Sequence, residues 1–343
     1  MPAKQKIAII GGGLSALITA QNLADRYDID LFEKARGVGG RMSTRRADPY
    51  QFDHGAQYFT ARTKPFKAFL KPHIESGLIQ EWTPQVLTLE KGEKPYKRDW
   101  FEPHYVAAPH MNSLCKALAA AMDINIHLQT HITALEKSGD GTWMLQDLTN
   151  ESYGPYDAVI ITTPSHQAVD LLPANFLNLP LIKDVKMTGC HSIMIGFDTP
   201  PTLNWGAAVV KNSPIEWMAV NSQKPDRTSD FSILITTRND WSETHIEDEI
   251  EAVQSIIINE FQDLTNISAD KISHISTHRW RYANTLQHAD KDKDNNNEDT
   301  HHNYFIDRDQ KIGVCGDWCI KGHVESAFTS AYQLSQDILK NGL

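Results

Sequence analysis

The chain has 343 residues, 41% of them hydrophobic and 22% charged, with a formal net charge of −10 at pH 7 and a pI near 5.8. The length suits two domains with substantial cores, and the acidic balance argues against nucleic acid or an anionic membrane as a main partner. The four cysteines, Cys115, Cys190, Cys315 and Cys319, contain no C-x-x-C pair, which fits a reducing compartment and gives no sign of a zinc site or redox-active disulfide.

In chain order, Ile7–Ile10 reads as a parallel strand buried on both faces. Gly11, Gly13 and Ala16 follow with the G-x-G-x-x-A spacing of a dinucleotide turn. Gly11 permits the turn, Gly13 lets the backbone approach a pyrophosphate, and Ala16 allows close helix–strand packing. A helix from Leu14 to about Tyr27 points its first amides, Leu14 and Ser15 among them, at phosphate. A second apolar run ends at Glu33-Lys34, and Glu33 lies 17 residues past Ala16, where ribose hydroxyls need an acceptor. Gly39-Gly40-Arg41 then adds two flexible residues and a guanidinium suited to bidentate phosphate contact. That arginine argues for FAD rather than NAD.

Met1–Lys6 and the following apolar stretch have the outline of a signal peptide, but the glycine run suits the nucleotide turn better. The expected location is cytoplasmic. No apolar run approaches the roughly 18 residues of a membrane span.

Further along, helices are predicted over Lys64–Ser76 and from Pro109 to about Met122. Strands are predicted over Ile124–Gln129 and Asp157–Thr162, with a hairpin-like stretch around Trp143 between them. The runs His191–Phe197, Trp205–Val210, Ile215–Asn221 and Phe231–Thr237, divided by polar loops, predict an antiparallel sheet. Thr244-His245-Ile246-Glu247 has a capping-box pattern and predicts a helix opening there and running to about Phe261. Lys271–Trp280 reads as a strand, Lys311–Cys315 as a short strand before Gly316-Asp317, and Val324 to Leu339 as a helix. Residues 288–302 form a polar insert. Asp290, Asp292 and Asp294 begin with calcium-loop spacing, but Asn295 and His301 stand where that loop needs Gly and Glu. A solvated loop is the better reading, and no metal is expected.

The stretches Glu33-Lys34, Gly39-Gly40-Arg41-Met42-Ser43-Thr44 and Phe52-Asp53-His54-Gly55-Ala56-Gln57-Tyr58-Phe59-Thr60 resemble the amine-oxidase superfamily of flavoproteins. Within it the pattern resembles the bacterial renalase-like branch. Further matching stretches include Val185-Lys186-Met187, Lys224-Pro225-Asp226-Arg227, His278-Arg279-Trp280-Arg281-Tyr282-Ala283 and Gly316-Asp317-Trp318-Cys319. The resemblance implies an α/β chain: a Rossmann-like FAD/NAD(P)-binding domain with a second α+β substrate domain built on a mostly antiparallel sheet. The expected boundaries are 1–75, 100–165 and 281–343 for the FAD-binding domain, and 76–99 and 166–280 for the substrate domain.

The resemblance also implies a non-covalent FAD oxidase. It would take hydride from 2-dihydro or 6-dihydro isomers of NAD(P)H at flavin N5, return NAD(P)+ and reduce O2 to H2O2. No catalytic side chain is expected, because the dihydropyridine gains aromaticity on losing hydride. Expected cofactor contacts are Gly11, Gly13, Leu14, Ser15, Ala16, Glu33, Lys34, Gly40, Arg41, Gln57, Tyr58, Ile132, Gly316, Asp317, Val324 and Glu325. Expected substrate contacts are Tyr58, Phe59, Thr60, Ala61, Arg62, His191, His245, Trp280 and His323.

The chain departs from its relatives at three places. His323 stands where bacterial relatives carry Arg, His110 where Pro-Gly-Met is common, and Cys190-His191 where a large residue is common. The alternatives are a flavin-containing amine oxidase and a non-catalytic flavin-binding redox protein. An amine oxidase would usually place a lysine on the strand at 190–197, and that stretch has none. A plain NAD-dependent dehydrogenase leaves Gly39-Gly40-Arg41 and Gly316-Asp317 unexplained.

Overall fold

The computed structural model describes residues 4–228, 230–286 and 302–343. The calcium-loop pattern at Asp290, Asp292 and Asp294 lies outside the described residues. The chain packs as two units. One is formed by Met1–Gly40, Cys115–Met187 and Thr285–Leu343, the other by Arg41–Leu114 and Thr188–Asn284.

In the first unit the continuous apolar runs form a six-stranded sheet. Its order is Phe305–Asp307, Ile312–Val314, Ala158–Ile161, Lys6–Ile10, Asp28–Glu33 and Asn125–Leu128. All pairs are parallel except the outermost, Phe305–Asp307 against Ile312–Val314. Ile7, Ala8, Ile9 and Ile160 are almost wholly out of solvent, as parallel strands covered on both faces require. The predicted hairpin around Trp143 is a three-stranded antiparallel sheet of Ile132–Lys137, Trp143–Asp147 and Ser152–Tyr156. Two helices belong to this unit's nucleotide face, Leu14–Leu23 and Val324–Asn341.

The second unit is built on a seven-stranded sheet. Its order is His274–Thr285, Met187–Gly196, Ser232–Thr237, Ile215–Val220, Ala207–Val210, Val86–Leu89 and Tyr96–Arg98. Four of these are the predicted antiparallel runs. Ala207–Val210 breaks the pattern by pairing in parallel with Val86–Leu89, a strand not anticipated. The Ile250–Thr265 helix presses Val253, Ile257 and Phe261 onto Ile193, Ile195, Met218 and Ile235 of the sheet.

The structure corrects one expectation. The helix expected to open at Thr244 starts at Ile250, with Glu249 as its N-cap. Thr244 instead ends a short helix over Asn239–Thr244, and His245 is that helix's C-cap. The capping-box spacing is met by chance, because His245 N–H bonds back to the Ser242 carbonyl and closes the preceding turn. Residues 41–75 and 100–114 lie in the same unit as 188–284, where Phe52 joins a buried group with Met194 and Leu234 of the large sheet.

Candidate functional site

The glycine turn sits at the carboxyl end of the Lys6–Ile10 strand. Gly11 has φ +105° and donates to the Phe32 carbonyl at 2.8 Å, a left-handed conformation that favours glycine. Gly13 opens the Leu14–Leu23 helix with no side-chain cap, and the space above its Cα is empty. Leu14, Ser15 and Ala16 are buried beneath it. Glu33 Oε2 accepts the Gly12 amide at 2.7 Å and Oε1 accepts the Ala35 amide at 2.7 Å. Each oxygen keeps a lone pair for a hydroxyl. Gly39 N–H donates to the Gly12 carbonyl at 2.8 Å, which draws Gly40 onto Gly13. A Cβ on Gly40 would stand 3.3 Å from the Gly13 Cα. Thr130 N–H donates to the Glu33 carbonyl at 3.0 Å, so the segment leading to buried Ile132 runs beside Glu33.

The C-terminal motif joins the same cradle. Gly316 N–H donates to Ser330 Oγ at 3.0 Å, and Asp317 is buried at the start of a single 3-10 turn. Val324 and the half-buried Glu325 open the Val324–Asn341 helix, whose N-cap, the exposed His323, makes no side-chain cap bond. Ser15 Oγ donates to the Ala327 carbonyl at 2.9 Å. The first turns of two uncapped helices therefore meet. Each carries a partial positive charge and unsatisfied N–H groups, an arrangement suited to an anionic, acceptor-rich ligand. Lys34 stands apart: it is exposed and reaches Gln167 Oε1 at 3.3 Å.

In the second unit, the half-buried Arg41 donates from Nη1 to the Ala283 carbonyl at 3.2 Å. A Cβ on Gly55 would come within 1.9 Å of the Arg41 carbonyl oxygen, so only glycine fits there. Asp53 lies out of solvent behind this turn. Its Oδ2 accepts from Arg227 Nη2 at 2.7 Å and Lys224 Nζ at 3.3 Å, and its Oδ1 accepts from Thr44 Oγ1 at 2.8 Å and the Met111 amide at 3.0 Å. Burial alone pushes this carboxyl up, but the two cations and the hydrogen bonds outweigh burial and hold it below its usual range. Gln57 donates from Nε2 to the Asp53 and Gly55 carbonyls and accepts from Lys224 at Oε1.

Tyr58 is half-buried and belongs to a group of five rings. His104 lies 4.6 Å from it, Trp100 5.4 Å, Trp217 5.6 Å and Trp82 6.4 Å, centroid to centroid. Trp82 also lines a cavity of about 430 Å³ with Gln85, Trp205, Gln223 and Pro225. Phe59 turns the other way. It packs on Phe66 and Tyr105, exchanges two backbone bonds with Tyr105, and is a core residue. Thr60 and Ala61 are half-buried, and the exposed Arg62 makes a bidentate pair with Glu102 at 2.6 and 3.0 Å.

Trp280 donates from Nε1 to the His54 carbonyl at 2.8 Å and stands 5.1 Å from the His54 ring. His191 is fully buried on the Met187–Gly196 strand, with no hydrogen-bond partner at either ring nitrogen. Burial, helped by the Arg279 charge, holds its imidazole down at about 4, so it is neutral at pH 7. Its ring faces Trp241 edge-on at 6.2 Å, and Trp241 in turn lies 4.1 Å from His245, whose Nδ1 meets Asp248 at 2.7 Å.

Sequence reasoning gave no role to Asp53, Lys224 or Arg227, nor to the rings around Tyr58. Asp53 and Lys224 are 171 residues apart, and no spacing rule joins them. Among the described residues no group of three or more acids, histidines and cysteines is arranged to hold a metal. No helix there is long and apolar enough to cross a membrane.

A parallel sheet with a glycine turn, an acid at the end of the second strand and two converging helix N-termini define a dinucleotide-dependent oxidoreductase fold. The chain belongs to the flavin-containing amine oxidoreductase family, whose pattern matches residues 101–339, while residues 9–72 match an NAD(P)-binding Rossmann-like domain. Its cofactor is FAD, and the open space at Gly13, the lone pairs of Glu33 and the uncapped helices fit that group.

Among solved structures, a protein provisionally named a protoporphyrinogen oxidase from Exiguobacterium sp. 255-15 has a TM-score of 0.76 at 16% identity, over 99% of this chain and 100% of that one. A putrescine oxidase bound to putrescine has a TM-score of 0.72 at 10% identity, over 99% and 100%. These likenesses show the fold. A 4,4'-diapophytoene desaturase (4,4'-diaponeurosporene-forming) of Staphylococcus aureus is 41% identical over 51 residues, which span 15% of this chain and only 10% of the desaturase.

Proposed function

We propose that this protein is an FAD-dependent oxidase of renalase type. It converts 2-dihydro and 6-dihydro isomers of NAD(P)H, with one proton and O2, to NAD(P)+ and H2O2. The observation that carries this reading is the half-buried Tyr58 ring, seated among four other rings. Such a surface receives a flat, apolar-faced ring by stacking. Bound FAD supplies a two-electron acceptor for hydride.

The chain's residues bind and orient. The amides at Gly13 to Ala16, with Arg41, meet phosphate, and Glu33 and Ile132 meet the adenosine half. Gly316, Asp317 and the first turn at Val324 and Glu325 meet the flavin half. Gln57 and Tyr58 open the segment proposed to face the flavin ring and substrate. Trp280, His191, His245 and His323 remain proposed substrate contacts. Arg62 reaches substrate phosphate by exchanging its exposed pair with Glu102, a cheap exchange at the surface. His191 lies on the strand at 190–197, where relatives that act on amines usually carry a lysine and this chain has none. A neutral imidazole there suits an uncharged dihydropyridine better than a substrate amine.

The amine-oxidase reading has one observation in its favour, the family match itself. Oxygen uptake separates the two. The present reading expects consumption of O2 with dihydronicotinamide isomers and formation of NAD(P)+. Uptake driven by amines and not by those isomers would replace it with the amine-oxidase reading.

A further inference from the structure

Asp53 holds two cations where one would neutralise it. Arg227 and Lys224 share its Oδ2, and all three side chains have at most 1% exposure. Arg227, Thr44 and Met111 already satisfy the carboxylate. Among the described residues, Asp53 is the one acid within ion-pair reach of either cation. Lys224 is therefore a surplus buried charge. Its remaining neighbours are neutral: Gln57 Oε1 at 3.4 Å and the face of Trp82, with Nζ 5.4 Å from the ring centroid.

Such a charge is expensive. A buried ion without its own counter-ion carries a desolvation penalty that one hydrogen bond and one aromatic face do not offset. Burial pushes the Lys224 amine down to about 8, even with Asp53 pulling the other way. The fold does not need this charge, since an apolar side chain of similar length would leave the Asp53–Arg227 pair intact. Charges kept against stability concentrate at working sites. Lys224 also fixes Gln57. With Nε2 bound to two carbonyls, the Gln57 amide has its orientation completed by the ammonium at Oε1.

We infer that Lys224 is a positioning residue: it fixes Gln57 and sets an uncompensated positive charge behind the Gln57–Arg62 segment, favouring groups there that gain negative charge. The inference rests on the reading that this segment meets the flavin and substrate. An isoalloxazine that accepts hydride gains one negative charge, so removing Lys224 makes that acceptance less favourable.

The test is Lys224→Met in the full FAD-loaded chain, equilibrated with a redox dye and unfolded thermally in parallel. At the potential where wild-type flavin is half reduced, the variant's ratio of oxidised to reduced flavin rises roughly tenfold, the size expected of one charge acting across roughly 12 Å at an effective dielectric of about 20. Its unfolding temperature equals or exceeds wild type. Lys224→Arg, which keeps the charge, stays near the wild-type ratio. An unchanged ratio in FAD-loaded Lys224→Met, or a variant that unfolds for want of the lysine, overturns the inference. Wild-type protein that takes up no FAD overturns the flavin reading beneath it, a distinguishable failure.

Discussion

The hydroxyl of Ser15 donates to the carbonyl of Ala327 at 2.9 Å. This bond ties the first turn of the Leu14–Leu23 helix to the first turn of the Val324–Asn341 helix, bringing two like dipole ends together. That juxtaposition is unfavourable alone and favourable around an anionic ligand. Ser15→Ala removes one bond of about 1 kcal/mol. The expected result is FAD affinity weakened about fivefold with the fold retained, read by flavin fluorescence titration. Unchanged affinity would show that the hydroxyl only packs.

Arg41 follows Gly39-Gly40 and its carbonyl is pressed against Gly55. Arg41→Ala leaves that backbone contact in place and removes the guanidinium. Loss of one charge-assisted phosphate contact of about 2 kcal/mol weakens FAD more than tenfold. Circular dichroism should be unchanged. A variant that holds FAD as tightly as wild type contradicts the role given to Arg41.

His191 sets part of the acid limit of stability. Burial holds its imidazole down at about 4 in the folded chain, against an ordinary value of 6.5. Between those values the unfolded chain carries the proton and the native chain does not, so stability falls as pH drops from about 6.5 to about 4. His191→Leu removes this dependence and two unsatisfied ring nitrogens. Urea unfolding of the variant at about pH 7 and about pH 5 should show a smaller acid loss than wild type. An equal loss would mean that the imidazole is already hydrogen-bonded, to water for example.

Lys224 works at the other end of the scale. Burial pushes its amine down to about 8 in the folded chain, against an ordinary value of 10.5. In that window the unfolded chain binds the extra proton, so wild-type stability rises with pH relative to Lys224→Met. The stability gap between the two should narrow from pH 8 to 10.5. A constant gap would locate the cost of Lys224 in packing rather than charge.

Much of the dinucleotide unit is legible in the sequence because its signals are local. Strand, turn, helix, strand and acid occur within Ile7–Glu33, and each constrains its neighbour. The sheet of the second unit is legible as runs of apolar residues, but not its parallel Val86–Leu89 neighbour, whose pairing is a long-range choice. The same holds for the site. The place of Glu33 at the end of the second strand follows from the sequence pattern, whereas the Asp53–Lys224–Arg227 cluster depends on segments brought together by the large sheet. Tyr58 and Phe59 illustrate the limit. Adjacent aromatic residues read alike in sequence, yet alternation along an extended chain sends Tyr58 to the ring cluster and Phe59 to the core. The Thr244–Glu247 spacing misled for a related reason, since it marks no helix start and the next helix begins later, at Ile250.

The most direct test mixes the FAD-loaded protein, without oxygen, with 2-dihydro-NAD, 6-dihydro-NAD, ordinary NADH and a panel of amines, and follows the flavin absorbance. The account predicts rapid bleaching by one or both unusual dihydro isomers, with NAD+ formed in equal amount, and little with amines. Rapid bleaching by amines alone would contradict it.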